Sequence, residues 1–284
     1  MKDKQLVQDM QVGGERPFFG LCDARVERVS ILPGESSFKQ CARLEVEHSE
    51  FNGKYPFWHN DDCLIRHCVF HEGGRAAIWY SRRLTMTDTL VEAPKMFRDM
   101  DGLVVERVRM PHALETLWHC RRVRLNEVEI SQGDYLFKDS EELHVTRLTL
   151  HGNYSFQYCR NVEVHDSVLH SKDAFWNTEN VTVYNSVLDG EYLGWHSKNL
   201  RLVNCRIAGT QPLCYAHHLV LENCTFADDC DLAFEYSDVQ AELKGRVHSI
   251  KNPAGGRIVA DEIGDVIINE YCPAPGACSI VRRA

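Results

Sequence analysis

Val162-Glu-Val-His-Asp-Ser-Val-Leu169 is a stretch that returns nineteen residues later as Val181-Thr-Val-Tyr-Asn-Ser-Val-Leu188. Apolar residues at its first, third and eighth places alternate with polar ones, which is typical of a short strand with one buried face. Further copies of the pattern start at Ala24, Leu44, Cys63, Leu84, Leu103, Val123, Leu143, Leu200 and Leu219. A period of 19–21 residues indicates a repeat architecture in which each coil stacks on its neighbours.

An aromatic residue also recurs once per repeat, between successive copies of the strand pattern. The series runs Trp58, Trp79, Phe97, Trp118, Phe137, Phe156, Trp176, Trp195, Tyr215 and Phe234. Because equivalent positions in stacked strands lie about 4.8 Å apart, we expect these rings to form one interior ladder. Neither a helical stripe nor a leucine-rich pattern accompanies the repeat, and parallel crossovers are nearly always right-handed. The sequence therefore predicts an all-β fold, a right-handed parallel β-helix of about eleven coils.

The predicted coils cover residues 24–238 of a single domain that spans residues 1–284. Residues 1–23 are predicted to form an N-terminal cap and residues 239–284 a C-terminal cap, because the exposed edges of a stacked sheet need cover. One turn should carry a polar column, since asparagine tolerates the left-handed backbone and its amide bonds along a stack. That column is Asp166, Asn185, Asn204 and Asn223, followed by the small residues Ser167, Ser186, Cys205 and Cys224.

Composition limits the partners of the protein. The 284 residues carry a formal net charge of −9, which argues against a nucleic-acid ligand because phosphates need a basic face. No stretch approaches the ~20 apolar residues of a membrane span. The charged start, from Met1 to Met10, lacks the apolar core of an export signal. We therefore expect a cytoplasmic protein that binds neither nucleic acid nor membrane, and its oligomeric state stays open.

The twelve cysteines are predicted to be core residues. No CxxC pair occurs, and the looser pairs fit no zinc pattern. A column of His151, His170 and Asp189 combines imidazole and carboxylate groups. Such residues are more often hydrogen-bonded to each other on an exposed turn. We therefore predict no cofactor and no metal site.

A stripe of polar side chains is predicted beside the aromatic ladder. A carboxylate or amide stands just before most ladder residues: Glu115, Asp134, Asn153, Asp173, Glu191, Gln211 and Asp231. Bases and further polar residues flank them, among them Arg75, Lys95, Arg98, Lys172, Asn177 and Glu235. Tyrosines such as Tyr192 accompany the stripe. Amides and carboxylates hydrogen-bond hydroxyl groups and rings stack on sugar faces, so the stripe suits an extended polyhydroxylated ligand.

Two pairs of acids in this stripe are candidates for catalysis, Asp173 with Glu191 and Glu115 with Asp134. Acids that stack in successive coils would lie about 5 Å apart, and retaining glycosidases hold their carboxyls about 5–5.5 Å apart. Close carboxylates also raise one pKa, which creates an acid beside a base. The predicted substrate-binding residues are Arg75, Lys95, Arg98, Asn153, Lys172, Asn177, Tyr192, Gln211 and Glu235. Of these, Lys95, Arg98 and Lys172 would neutralise an anionic substrate.

Two functions stay open at this point, and a third, a metal or redox role for the cysteines, ranks last. The first is binding or processing of a carbohydrate or another anionic small molecule along the stripe, with or without catalysis as a hydrolase, lyase or isomerase. The second is a non-enzymatic scaffold for protein interaction, in which the acids are only solvated turn residues. Blocks such as Gly133-Asp-Tyr135 and Gly190-Glu-Tyr192 are ordinary turn sequences, which favours the second reading for any single acid.

Several blocks of the chain resemble one bacterial family. They are Tyr55-Pro-Phe-Trp58, Ala77-Ile-Trp-Tyr80, Ala93-Pro-Lys-Met-Phe-Arg98, Ser171-Lys-Asp-Ala-Phe-Trp-Asn177 and Leu232-Ala-Phe-Glu-Tyr-Ser237. On these blocks the chain resembles, over nearly its whole length, the family catalogued as domain of unknown function 3737. The resemblance implies a pectin-lyase-like right-handed β-helix. It brings no established activity, so no catalytic residue follows from it.

Overall fold

The computed structural model describes residues 4–284, and residues 1–3 of the predicted N-terminal cap lie outside the described part. Contacts between Cα atoms divide the chain into two compact units, Met1–His144 and Val145–Ala284. Nearly all regular structure is β-strand, and one short 3-10 helix, Glu72–Gly74, interrupts the first unit.

The first unit consists of parallel strands joined by tight corners. Its strands are β1 (Gln5–Glu15), β2 (Ala24–Glu35), β3 (Ala42–Glu47), β4 (Glu50–Phe51), β5 (Asp61–Arg66), β6 (Val69–Phe70), β7 (Arg82–Thr87), β8 (Leu90–Val91), β9 (Asp101–Met110) and β10 (Arg121–Ile130). The predicted repeat positions pair directly, with Leu44 opposite Cys63, Cys63 opposite Leu84 and Leu84 opposite Leu103. Their side chains are buried, so the alternating pattern marks one face of the core.

The strand β11 (Glu141–His151) contains the boundary between the units, and the second unit continues with the same kind of coil. Its strands are β12 (Arg160–His165), β13 (Val168–His170), β14 (Glu179–Tyr184), β15 (Val187–Asp189), β16 (Lys198–Val203), β17 (Arg206–Ala208), β18 (Leu219–Phe226), β19 (Asp238–Lys244), β20 (Arg246–Lys251), β21 (Gly255–Ala260), β22 (Glu262–Ile267) and β23 (Cys278–Arg282). Val162 pairs with Val181 and Val181 with Leu200, again in parallel register. The predicted all-β right-handed parallel β-helix is confirmed.

The predicted number of coils, eleven, is too low, because the solenoid has about fifteen turns. The strand β1 pairs with β2 in parallel and so adds a turn at the start. Near the other end, Ala241 pairs with Ile258, and Ile258 pairs with Ile280. The strands β1 and β23 pair through backbone hydrogen bonds but have no fully buried side chain, so they lack the apolar signature on which the count depended.

The corners of the coils hold side-chain ladders, as the sequence predicted. Asp166, Asn185 and Asn204 all adopt left-handed φ angles, of 49°, 51° and 55°. The Asn185 amide donates to Asp166 Oδ1 at 3.3 Å, and the Asn204 amide donates to Asn185 Oδ1 at 3.1 Å. A second ladder of the same kind, which the sequence reasoning missed, joins Asn161, Asn180 and Asn199.

Most of the cysteines are core residues, as predicted, whereas Cys22 is exposed and Cys278 is partly buried. All twelve are free thiols, and ten of them are buried. Cys205 and Cys224 continue the small-residue column, and each thiol donates to a backbone carbonyl of its own coil.

The single aromatic ladder predicted from the sequence is wrong in register, because it merges two neighbouring columns and adds Tyr215 from a third, where Tyr215 lies against His196 and Tyr236. Phe156 stacks on Phe175, with ring centroids 5.5 Å apart, in a fully buried column. Trp176, the next residue in the chain, instead stacks on Trp195 at 5.4 Å in a half-exposed column. An aromatic residue occupies both positions in several coils, so a one-residue shift leaves the spacing almost unchanged.

Candidate functional site

An open groove of about 530 Å³ lies on the second unit. Its lining residues are Tyr154, Lys172, Asp173, Trp176, Tyr192, Trp195, Gln211, Cys214, Tyr215 and Glu235. Most of them belong to two neighbouring columns. We call Gln157, Trp176, Trp195, Cys214 and Glu235 the second Trp column, and Tyr154, Asp173, Tyr192 and Gln211 the Asp173 column.

The register of the Asp173 column follows from backbone geometry. Tyr154, Asp173, Tyr192 and Gln211 all have left-handed φ angles, of 59°, 50°, 50° and 44°, and therefore occupy the same corner of successive coils. The Asp173 amide donates to the Glu191 carbonyl at 2.9 Å, so Tyr192 is the residue that stacks on Asp173. Aspartate tolerates this backbone conformation better than most residues do.

The groove exists because the second Trp column contains a small residue. Trp176 and Trp195 stack with an interplanar angle of 18°. The next position in the column holds Cys214, and the one after it holds Glu235. A thiol fills much less space than an indole, so the column cannot continue its aromatic stack beyond Trp195. Tyr192 approaches Trp195 from the neighbouring column, with ring centroids 6.0 Å apart.

Asp173 is the most unusual group in this groove. Its exposed fraction is 2%, and its Oδ1 atom has no hydrogen-bond partner. Burial raises the pKa of its carboxyl to about 6, the charge of Lys172 opposes this rise, and Glu191 adds to it. A buried polar atom without a partner costs about 1–3 kcal/mol. Such a cost in a concave site is a mark of a functional position.

The neighbouring acids are held by bases. Glu191 lies 3.3 Å from the Nζ atom of Lys172. Glu235 is 7% exposed, lies 2.8 Å from Lys251 Nζ, and accepts a hydrogen bond from Gln211 Nε2 at 2.8 Å. Within residues 4–284, Asp173 has no such ion pair. It is therefore the acid of the groove whose charge is not balanced.

Cys214 lies between these groups but is poorly suited to nucleophilic chemistry. Burial raises the pKa of its thiol to about 12, and the charges of Glu235 and Asp173 add to the effect. A reactive cysteine needs a lowered pKa, because the thiolate is the nucleophile. The main contribution of Cys214 to the groove is its small size.

The structure brings together five of the residues predicted from the stripe: Lys172, Asp173, Tyr192, Gln211 and Glu235. Glu191 borders the groove through Lys172, and Asn153 accepts a hydrogen bond from the Lys172 amide at 3.3 Å. Asn177 follows Trp176 at a corner and does not line the groove. Sequence reasoning placed Trp176, Trp195 and Tyr215 in the interior ladder and so missed them as lining residues. The signal that could have found them is the change from tryptophan to cysteine at position 214.

The acids of each predicted catalytic pair occupy neighbouring columns rather than one column. Asp173 stacks with Tyr154 and Tyr192, whereas Glu191 precedes Tyr192 by one residue. Glu115 stacks between Lys95 and Tyr135, whereas Asp134 precedes Tyr135. The predicted separation of one coil within a single column therefore does not apply to either pair.

In the first unit, a column that has no gap includes the predicted residue Arg98, and the other predicted residues beside it are Arg75, Lys95, Glu115 and Asp134. We call Trp58, Trp79, Arg98, Trp118 and Lys138 the first Trp column. The guanidinium carbon of Arg98 lies 4.4 Å from the Trp79 ring centre and 4.5 Å from that of Trp118. Glu115 contacts Lys95 Nζ at 3.0 Å and Arg98 Nη2 at 3.7 Å. The bases predicted to neutralise an anionic substrate here already have partners.

The predicted stacking of His151 and His170 is found, with ring centroids 4.5 Å apart, and His170 Nδ1 lies 3.0 Å from Asp189 Oδ2. Across residues 4–284, no group of three or more His, Cys, Asp or Glu side chains is placed to hold a metal ion. In the same part of the chain, no helix has the length and apolar character needed to cross a membrane.

Residues 5–281 match the sequence profile of a family described as "Protein of unknown function (DUF3737)", which agrees with the resemblance seen in the sequence. The chain has no significant match among curated proteins.

Solved structures with some similarity include the catalytic domain of a GH87 alpha-1,3-glucanase in complex with nigerose, at 8% identity and a TM-score of 0.38. That alignment covers 100% of this chain and 64% of the glucanase chain. The A-module of the Azotobacter vinelandii mannuronan C-5 epimerase AlgE4 aligns at 8% identity and a TM-score of 0.39, over 99% of this chain and 91% of that one. Similarity this low carries no information on ligand or reaction, so the ligand must be inferred from the groove itself.

Proposed function

The chain belongs to the DUF3737 family of proteins of unknown function, and we propose that the groove of its second unit binds a carbohydrate. The observation that carries this proposal is the buried carboxyl of Asp173, whose Oδ1 atom has no hydrogen-bond partner, in a groove that the stacked rings of Trp176 and Trp195 also line. Aromatic faces with a few convergent polar groups are the usual composition of a small-molecule site.

The lining suits a sugar in both its apolar and its polar parts. The rings of Trp176, Trp195 and Tyr192 offer apolar faces on which the C–H face of a sugar ring can pack. Gln211 and Glu235 offer an amide and a carboxylate to hydroxyl groups. The volume of about 530 Å³ falls within the range of about 300–1,000 Å³ for small-molecule pockets.

The unpaired atom of Asp173 supports a ligand rather than a purely structural role. A ligand hydroxyl or amine that bonds Oδ1 would remove a penalty of about 1–3 kcal/mol that the free protein carries. A carboxyl kept only to hold the turn would need no burial, because the exposed turn acid Asp166 holds an equivalent corner without it.

Our proposal covers binding and leaves the reaction open. Paired-acid chemistry needs a second carboxylate that is available to the ligand. Glu191 and Glu235, the other two acids at the groove, are each engaged by a lysine. The catalytic roles of Asp173, Glu191, Glu115 and Asp134 therefore stay predictions from the sequence.

Isothermal titration calorimetry of the whole chain against a panel of short oligosaccharides tests the proposal. We expect at least one sugar to bind, and we expect Cys214→Trp to abolish that binding because the indole would continue the second Trp column into the groove. The matched control is Lys138→Trp, which adds the same residue to the first Trp column and should leave binding unchanged.

Binding that survives in Cys214→Trp would move the ligand to another surface and refute the proposed groove. The absence of binding by every sugar in the panel would refute the carbohydrate ligand. If Cys214→Trp does not fold, as judged by circular dichroism, Trp195→Phe provides the second test. The fluorescence change of the native chain on sugar binding should then shrink, because Trp195 is one of the two indoles that line the groove.

A further inference from the structure

The geometry points to a more specific ligand: we propose that the groove binds an amino sugar, with the protonated amine of that sugar against Asp173. This inference rests on the proposed carbohydrate function and narrows its substrate class. The sequence suggested an anionic sugar as the ligand, whereas the proposed amino sugar is a cation.

The balance of charges around the groove favours a cation. Three acids and two bases are arranged here, and each base is already paired with an acid. Lys172 lies 3.3 Å from Glu191, and Lys251 lies 2.8 Å from Glu235. Asp173 is left over, and its Oδ1 atom has no partner. A protonated amine would supply the missing positive charge and a hydrogen bond in one group.

The aromatic lining favours the same charge. Trp176, Trp195, Tyr154, Tyr192 and Tyr215 surround the open space. The face of an aromatic ring attracts a cation, and this attraction is worth up to about 2 kcal/mol in a desolvated site. The protein already uses this interaction elsewhere, since the Arg98 guanidinium packs between two indole rings. A ring of sugar carbons packs on the same faces, so one ligand with a sugar ring and an amine uses both properties.

An anionic sugar fits the groove poorly. Its carboxylate would have to approach Lys172, whose Nζ atom is paired with Glu191 and lies 5.4 Å from the Tyr192 ring centre. It would also lie near Asp173 and Glu235, both acidic and both buried. Bringing a third carboxylate beside them disfavours the ionised forms of all three.

The affinity for an amino sugar should also depend on pH. Burial places the pKa of Asp173 at about 6, so its carboxyl is mostly neutral at pH 5 and mostly ionised at pH 7. The charged or titratable groups that face it are Lys172, Glu191, Cys214, Tyr154, Tyr192 and the Glu235–Lys251 pair. An amine gains its ion pair only with the ionised form, so amino-sugar binding should strengthen as pH rises through 6.

The test compares four disaccharides of one linkage and ring configuration that differ at one position, where they carry an amine, an N-acetyl group, a hydroxyl or a carboxylate. Calorimetry on the whole chain should give at least a tenfold smaller Kd for the amine than for the hydroxyl sugar at pH 6.8. That ratio should fall roughly tenfold at pH 5, as the ionised fraction of a group with a pKa of about 6 falls. Asp173→Asn should remove the amine preference, so that the amine and hydroxyl sugars bind the variant with Kd values within about twofold of each other, because asparagine fits the left-handed corner but carries no charge.

The outcomes separate the two proposals. If the hydroxyl or carboxylate sugar binds as well as the amine, the amino-sugar inference is wrong and the carbohydrate groove stands. An amine preference that survives in Asp173→Asn also overturns the inference, because another group must then hold the amine. If none of the four sugars binds to the native chain, both proposals fall together.

Discussion

The two Trp columns share one position of the coil, yet the aromatic groove of about 530 Å³ lies along the second of them. In the first Trp column, Arg98 fills the place between Trp79 and Trp118 and contacts both rings within 4.5 Å. In the second, Cys214 follows Trp195 and leaves open space. The adjacent acids differ in the same way. Glu115 has two basic neighbours, whereas Asp173 is buried without an ion pair. The groove opens where the column lacks a large side chain, and there the neighbouring acid lacks a base.

Asp173→Asn should produce the largest effect, which is a change in how the free energy of unfolding depends on pH. The pKa of Asp173 is raised in the folded chain to about 6 from an ordinary 3.8, so the unfolded chain releases this proton at lower pH. The native protein therefore loses about 2 kcal/mol of stability as pH rises from about 4 to about 6. The variant lacks this loss, so its stability relative to the native chain should rise by about 2–3 kcal/mol between pH 4 and pH 7.5.

Urea unfolding of both proteins at the two pH values measures this difference. An Asp173→Asn variant whose relative stability is the same at pH 4 and pH 7.5 would mean that Asp173 is solvated or paired. The contrast between the two acids would then disappear.

Arg98→Ala should produce the second largest effect, a loss of stability in the first Trp column. This change removes two cation–π contacts, each worth about 0.5–2 kcal/mol, and the packing of the side-chain stem. We expect the free energy of unfolding to fall by about 2 kcal/mol. Arg83→Ala is the matched control, because Arg83 pairs with Asp61 at an exposed position, where a salt bridge contributes about 0–1 kcal/mol. Equal losses in the two variants, measured by urea unfolding, would show that Arg98 does not stabilise the column.

The smallest effect concerns Glu115, through Glu115→Gln. Its side chain is 36% exposed and its two basic neighbours lie at 3.0 and 3.7 Å, so solvent screens both interactions. The free energy of unfolding should change by less than about 1 kcal/mol. Thermal denaturation at neutral pH measures the change. A loss above about 2 kcal/mol would indicate a buried, strongly coupled acid and would make the first unit a second candidate for a site.

The fold was predictable because its signal is repeated. Residues such as Val162, Val181 and Leu200 must face the core in every coil, so the period survives substitutions at single positions. The terminal turns were missed because β1 and β23 are held mainly by backbone hydrogen bonds, which any sequence can form. The register of the aromatic columns was missed because Phe175 and Trp176 are adjacent and both aromatic.

The site was predictable only in its residue types. The stripe of acids, amides and tyrosines contains Asp173, Lys172, Tyr192, Gln211 and Glu235, all of which line the groove. The sequence does not distinguish Asp173 from Glu115, since both are acids at corners beside an aromatic column. Their difference depends on which side chains from neighbouring coils cover each carboxyl, and that follows from three-dimensional packing. The gap at Cys214 has the same origin, because its effect depends on Trp195 one coil earlier.

In these columns, the pairing of the backbone is independent of the side chains that form the surface. Consecutive coils are joined by main-chain hydrogen bonds, such as that from Asn177 N to Trp195 O, which do not depend on the side chain at the column position. A cavity can therefore be created, closed or moved along the solenoid by exchanging one large side chain for a small one, with no change in chain length. For protein engineering, the column position is therefore a site at which a pocket can be added or removed. Arg98 fills this position in one coil, and Cys214 leaves it open in another.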